Sequence, residues 1–214
     1  MENLSRRERE KKIREEEIIT AAEKIFCQKG FEEASMDGIA AEAQFTKRTL
    51  YQYFTNKEDL YFAVILLKGF RKLFNYLQEA AENEETGFMK IYHSSIGYYK
   101  FYKEYPEMLK LMSYIGYVKK KSKEDSERRK ELVAFNNEIF KWVAKLIEEG
   151  KRDGSICNDL DTAKTSFSIV FMITGFFNQI TASGETFTEH FALKLEEFIF
   201  FNIDLLFRSI KNNK

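Results

Sequence analysis

The chain has 214 residues, enough for one larger domain or two small ones with a real core. Lys+Arg and Asp+Glu balance at 34 each, so the whole molecule is no polycation that coats nucleic acid or anionic membrane without discrimination. With 44% hydrophobic residues, 32% charged residues and one proline, the composition excludes intrinsic disorder and collagen-like repeats. No run approaches the roughly 18 apolar residues of a membrane span; the longest, Ile169 to Phe177, is interrupted by Thr174 and Gly175. The charged start has no apolar h-region, so no signal peptide is expected. Cys27 and Cys157 have neither metal-ligand spacing nor partners for a disulfide framework. The expectation is a cytoplasmic protein with no membrane contact.

Few glycines and no hairpin dipeptides point to an all-α chain of about nine helices. The first carries Ile18, Ala22, Ile25 and Phe26 on one face and stops near Gly30. Before it, Arg6 to Arg14 holds six basic and two acidic residues. That stretch reads as a disordered tail, a charged helical extension or an arm that enters a minor groove. Ser35 caps a short helix with Ile39, Ala40 and Ala43, and Thr46 caps a second, Lys47 to Phe54. Asn56, or alternatively Thr55 with Glu58, starts a long third helix through Leu60, Val64, Leu67, Phe70, Phe74 and Leu77. Residues 88–103 form the next helix, and Pro106 is placed to open another. Residues 118–131 are dense in charge and read as a mobile loop and the exposed start of a helix ending at Gly150. Lys151 to Leu160 reads as a loop. The last two helices are expected over about 161–181 and 188–211, separated by Ser183-Gly184.

The informative window runs from Ser35 to Leu60. Two short helices joined by Gln44, Phe45 and Thr46 make a helix-turn-helix. On the second helix Leu50 and Phe54 can pack inward with Tyr53 beside them, leaving Lys47, Arg48, Tyr51 and Gln52 together on the opposite face. A recognition helix needs that division, with an anchor inside and donors and aromatics outside. No acidic residue lies between Ala43 and Lys57. The first 60 residues nevertheless hold more acids than bases, which implies modest non-specific affinity and dependence on a dimer.

The run Ala21-Ala22-Glu23-Lys24-Ile25-Phe26 before Lys29-Gly30-Phe31, Ile39-Ala40 to Ala43, Thr46 to Phe54, and Asn56-Lys57-Glu58-Asp59-Leu60 together resemble the DNA-binding domain of the TetR family of bacterial transcription regulators. The resemblance covers about the first 65 residues; the rest matches in helix count and order. It implies an N-terminal three-helix helix-turn-helix DNA-binding domain over residues 1–56, with 1–14 as a possible disordered arm, and a C-terminal helical ligand-binding and dimerisation domain over 57–214. It also implies site roles. Ser35 and Thr46 would offer hydroxyls and backbone N–H groups to phosphates. Lys47, Arg48 and Gln52 would face base edges, with Thr49 nearby. Tyr51 and Tyr53 would touch the backbone or a thymine methyl, and Lys57 would grip a phosphate. Arg48 and Phe45 depart from the smaller residues usual in relatives at those positions.

The last helix is apolar around much of its circumference, and the one before it shows the same excess. A homodimer made from two helices of each chain explains both, with Phe176, Phe177, Ile180, Phe198, Phe201 and Leu205 as interface residues. The helices between carry Tyr92, Tyr99, Met112, Phe135, Asn136 and Trp142, which with Phe171 are candidates to enclose a small hydrophobic or aromatic effector. The partners implied are a double-stranded DNA operator, that effector and a second copy of the chain, with no cofactor and no metal. No HExxH, nucleophile elbow or P-loop occurs, and His93 and His190 are isolated. The function expected is a repressor that binds a palindromic operator as a homodimer and is released by its effector, not an enzyme. The alternatives are an all-helical carrier or enzyme with a structural helix-turn-helix, or a family member controlled by a protein partner or by oxidation of Cys157.

Overall fold

The computed structural model describes residues 5–122 and 126–212. Its helices are α1 (Arg6–Glu33), α2 (Met36–Glu42), α3 (Lys47–Tyr51), α4 (Lys57–Val64), α5 (Arg71–Ala81), α6 (Gly87–Glu104), α7 (Pro106–Ser113), α8 (Ile115–Lys121), α9 (Glu127–Asp153), α10 (Thr162–His190) and α11 (Leu195–Arg208). A π-helical turn, Ile65–Phe70, joins α4 to α5 without a break. Counting Lys57–Ala81 and Pro106–Lys121 as one helix each, the described residues hold nine helices and no strand beyond an isolated bridge between Ile156 and Lys211.

The chain packs as two compact units that do not follow sequence order. The first comprises the residues up to Phe70 together with Leu111–Val133; the second comprises Arg71–Lys110 and the residues from Ala134 onward. This partition differs from a boundary drawn at residue 57, because α4 belongs to the first unit.

In the first unit α1 packs on α2 and α4, and α2 on α3. Phe26, Phe31, Tyr61 and Phe62 form a buried aromatic core, with Phe31 meeting Tyr61 edge-on at 5.1 Å. A buried phenol needs an acceptor, and the Tyr61 hydroxyl donates to the Leu111 carbonyl at 2.8 Å. Gly30 bends α1 at φ 75°, a left-handed conformation open to glycine at no steric cost. Residues 6–14 are helical, which corrects the disordered-tail reading for that stretch; residues 1–4 lie outside the described residues. Ser5 and Glu8 close this end as a reciprocal capping box.

In the second unit α5 and α6 lie so close that a Cβ on Gly97 would sit 2.3 Å from the Tyr76 carbonyl oxygen. Phe74 receives Phe135 and Trp142 edge-on at 5.7 and 5.2 Å. Cys157 N–H donates to the Ile210 carbonyl and Asn212 N–H to that of Ser155, tying the chain end to the loop after α9.

Three expectations are corrected. Gly184 does not separate the last helices: it is buried inside α10 beside Ile180 and Leu195, and the break comes at Ala192, which takes φ 51°. Gly150 does not end α9, which continues to Asp153 with Gly150 seated against Ile156. The charged loop is shorter than expected, since Lys119 to Lys121 belong to α8; residues 123–125 lie outside the described residues. One further expectation needs amending. Thr162–His190 is long and apolar enough, by length and composition alone, to cross a membrane. Two apolar faces on one helix produce that composition: Ile169, Ile173, Phe177 and Ile180 point into the unit, while Phe167, Phe171 and Met172 point out.

Candidate nucleic-acid interface

Local hydrogen bonds set the helix-turn-helix. The Ser35 hydroxyl accepts from Gly38 N–H at 3.1 Å, and the Thr46 hydroxyl from Thr49 N–H at 3.1 Å. Between them the chain turns in a Schellman arrangement: Phe45 N–H donates to Ala40 O and Gln44 N–H to Ala41 O, with Gln44 at φ 57°. A C″ residue in that motif commonly makes a hydrophobic contact, and half-buried Phe45 fits the role better than the smaller residue usual there. Asn56 is the cap of α4, its side chain accepting from Asp59 N–H at 2.8 Å, while Asp59 accepts from Thr55 N–H at 3.2 Å.

On α3 the expected division of faces is present. Leu50 and, just past the helix, Phe54 are fully buried, whereas Lys47, Arg48, Tyr51 and Gln52 are exposed. Tyr51 leaves 49% of its surface in solvent. Thr49 and Tyr53 are half-buried at the edge of that face, and the Thr49 and Thr46 hydroxyls are 2.9 Å apart. Lys47 pairs with Asp37 at 2.7 Å, and this partner raises the lysine above its ordinary range. A phosphate would have to displace Asp37 or share the ammonium. Among the described residues no ion pair engages Arg48.

Lys57 is placed otherwise than expected. Its ammonium donates to the carbonyls of Phe31, Glu32 and Ala34 at 2.7, 3.1 and 2.9 Å and lies over the Phe31 ring. Burial pushes its pKa down, with Glu32 opposing. Lys57 therefore closes the carbonyl end of α1 after the Gly30 bend, and a phosphate would have to share its ammonium with those carbonyls. Sequence reading missed Arg128 of α9. Its guanidinium lies over the Phe54 ring at 4.5 Å and pairs with Glu15 at 2.6 Å, bracing the end of α3 from a distant part of the chain. Its Nε has no acceptor among the described residues. No local signal marks this arginine among the charges around it.

The expected effector residues each have partners within the protein. Tyr92 donates to Asp204 and Tyr99 to Glu196, both at 2.7 Å. Burial, reinforced by these carboxylates, pushes each phenol up to about 12. Phe135 and Trp142 gather on Phe74, and half-buried Asn136 is on the same helix. Met112 is buried in the first unit. Phe171, expected to touch the effector, is instead 72% exposed. Of the expected interface residues, Phe177 and Ile180 are buried in their own unit, Phe177 stacking on Tyr98 at 4.6 Å, so they are core. Phe176 and Phe198 are half-buried against each other, and Phe201 and Leu205 are more than half exposed. Among the described residues no group of three or more His, Cys, Asp or Glu is placed to hold a metal ion.

Residues 18–64 match the sequence model of the bacterial regulatory proteins of the tetR family. The chain is 34% identical over 95 residues to the HTH-type transcriptional activator FasR of Mycolicibacterium smegmatis, covering 38% of this chain and 42% of FasR, less than half of that relative's length. It is 24% identical over 182 residues to the HTH-type transcriptional regulator UidR of Escherichia coli, covering 85% and 89% of the two chains. The transcriptional regulator FadR of Bacillus subtilis, solved in complex with stearoyl-CoA, shares the fold with a TM-score of 0.69 at 17% identity, over 89% of this chain and 96% of that one.

Proposed function

We propose that this chain, whose residues 18–64 match the tetR-family model, is a DNA-binding transcription regulator of that family, a repressor whose homodimer holds a palindromic operator until a small hydrophobic effector releases it. The observation that carries the reading is the exposed row Lys47, Arg48, Tyr51 and Gln52 on a helix anchored by buried Leu50 and Phe54. Arg48 would donate to a guanine edge, Gln52 to an adenine, and Ser35 and Thr46 would lie at phosphates. Residues 1–56 would be the DNA-binding domain and 57–214 the effector and dimerisation domain.

The outward apolar faces of α10 and α11 support the dimer. Phe167, Phe171, Met172, Phe201 and Leu205 lie exposed there, and two copies of such a helix pair would form a four-helix bundle. Two recognition helices would then enter successive major grooves about 34–36 Å apart. A hydrophobic effector is supported by the aromatic interior of the second unit and by the stearoyl-CoA bound to FadR. To release the operator, the effector must prefer the released state by several kcal/mol. A second reading, activation, is favoured by the name of FasR.

Selection from random duplex DNA by the purified chain at two salt concentrations tests this. An enriched palindrome bound as a dimer is the expected result, and no enrichment at either salt would sink it. A reporter behind the selected sequence separates the two signs of control: repression predicts expression that rises when the gene for this chain is deleted.

A further inference from the structure

We infer that the free N-terminal turns of α1 are a second DNA-contacting surface, a basic stripe of Arg7, Lys11 and Arg14 that takes phosphates of the duplex held by α3. This rests on the DNA-binding reading above and adds a surface to it. Residues 7, 11, 14, 18, 21 and 25 follow a 4-3-4-3-4 spacing, which places them on one side of a helix. The inner half of that side, Ile18, Ala21 and Ile25, is buried in the packing of α1 on α2 and α4. The outer half is basic, and residues 5–14 are all exposed. The face that seats α1 on the helix-turn-helix therefore continues past the end of the packing as a row of cations.

Four of the five neighbouring acids are engaged elsewhere, all but the exposed Glu17. The Glu8 carboxylate accepts from the Ser5 N–H and hydroxyl at 2.8 Å each, and Glu10 pairs with Arg6 at 2.9 Å. Glu15 pairs with Arg128 and Glu16 with Lys68. Among the described residues no ion pair engages Arg7, Lys11 or Arg14, so the stripe keeps its full charge. A helix that buries nothing is marginal in water, yet this one is held straight by its own capping box and by its continuity with packed α1. Rigid cations at one-turn intervals suit a polyanion of fixed phosphate spacing. The stripe and the recognition helix belong to the same compact unit, which favours duplex DNA over a lipid surface.

The test compares two double variants of equal charge, Arg7→Gln/Lys11→Gln on the stripe and Arg9→Gln/Lys12→Gln on the other side of the helix. The probes are the duplex selected by the wild-type chain and a scrambled duplex of the same length. Circular dichroism checks that α1 is retained, and Arg7→Lys/Arg14→Lys should bind as wild type does. At about 0.1 M salt the stripe variant should lose about tenfold or more on both duplexes, with a salt slope shallower by about 0.9 for each phosphate contact removed. The other pair should lose clearly less. Equal losses in the two pairs, or none in either, would overturn the stripe while the wild-type palindrome leaves the parent reading intact. So would unchanged DNA affinity together with lost binding to phosphatidylserine vesicles, which would reassign the stripe to a lipid surface. A wild-type chain that selects no duplex would overturn the parent reading and the stripe with it.

Discussion

Both units bury aromatic residues, but they differ in which aromatic side chains they leave exposed. In the first, Phe26, Phe31, Phe54, Tyr61 and Phe62 are all almost wholly buried, in the core beneath the five-residue helix α3. In the second, Phe101, Phe177 and Phe207 are buried as fully, yet Phe167, Phe171, Phe187, Phe191 and Phe201 are exposed, whereas the exposed aromatics of the first are the tyrosines Tyr51, Tyr114 and Tyr117. Large aromatic surface left exposed marks an interaction site. The first unit exposes aromatics that carry a hydroxyl; the second exposes phenylalanines that carry none.

That contrast can be broken at several points. Phe54→Ala should act on folding itself: an aromatic 1% exposed is worth roughly 3–5 kcal/mol when truncated, read as a lower denaturant midpoint with loss of DNA binding. If stability held, Phe54 would not be the anchor of α3. Phe171→Ala should leave the fold alone and act on assembly. A two-fold interface loses the side chain twice, so the dimer should weaken by roughly 2–4 kcal/mol, measured by sedimentation equilibrium. An unchanged dimer would move the interface elsewhere. Arg48→Ala and Tyr51→Ala should each cost about 1–3 kcal/mol of operator affinity with no shift in Tm; unchanged affinity in both would remove the recognition-face assignment. The smallest effect is Gln44→Gly, expected to stabilise the chain by about 0.5–1 kcal/mol because glycine adopts the left-handed turn without a Cβ penalty. A lower Tm would mean that the Gln44 side chain makes a contact outweighing its backbone cost.

What could be read from the amino-acid order was local. Ser35, Thr46 and Asn56 are caps because a side-chain oxygen meets an N–H three residues on, and Pro106 opens α7 because its missing N–H is not needed there. Leu50 and Phe54 are one turn apart and face the same way. Determinants outside that range were invisible. Lys57 turns to the free carbonyls at the end of α1, which lie more than twenty residues away in sequence. Arg128 reaches Phe54 across most of the first unit's sequence. Gly184 looked like a stop, yet it serves close packing inside α10, while the actual break falls at Ala192, a residue with no turn signature. The partners of the aromatic candidates lay beyond local reading: side chains three or four apart share a face, but which faces meet, as Phe74 meets Phe135 and Trp142, is decided by the tertiary arrangement of separate helices.

The return of Leu111–Val133 to the first unit bears on how the protein is made. A ribosome delivers the helix-turn-helix early, but Tyr61 must wait for the Leu111 carbonyl and Phe54 for the Arg128 guanidinium. At about 5–20 residues per second that wait lasts several seconds. A nascent chain ending near Phe70 would carry the helix-turn-helix without its braces, so a gene fragment cut there should yield a poorly folded first unit, and a nonsense codon before Arg128 should leave α3 without its brace.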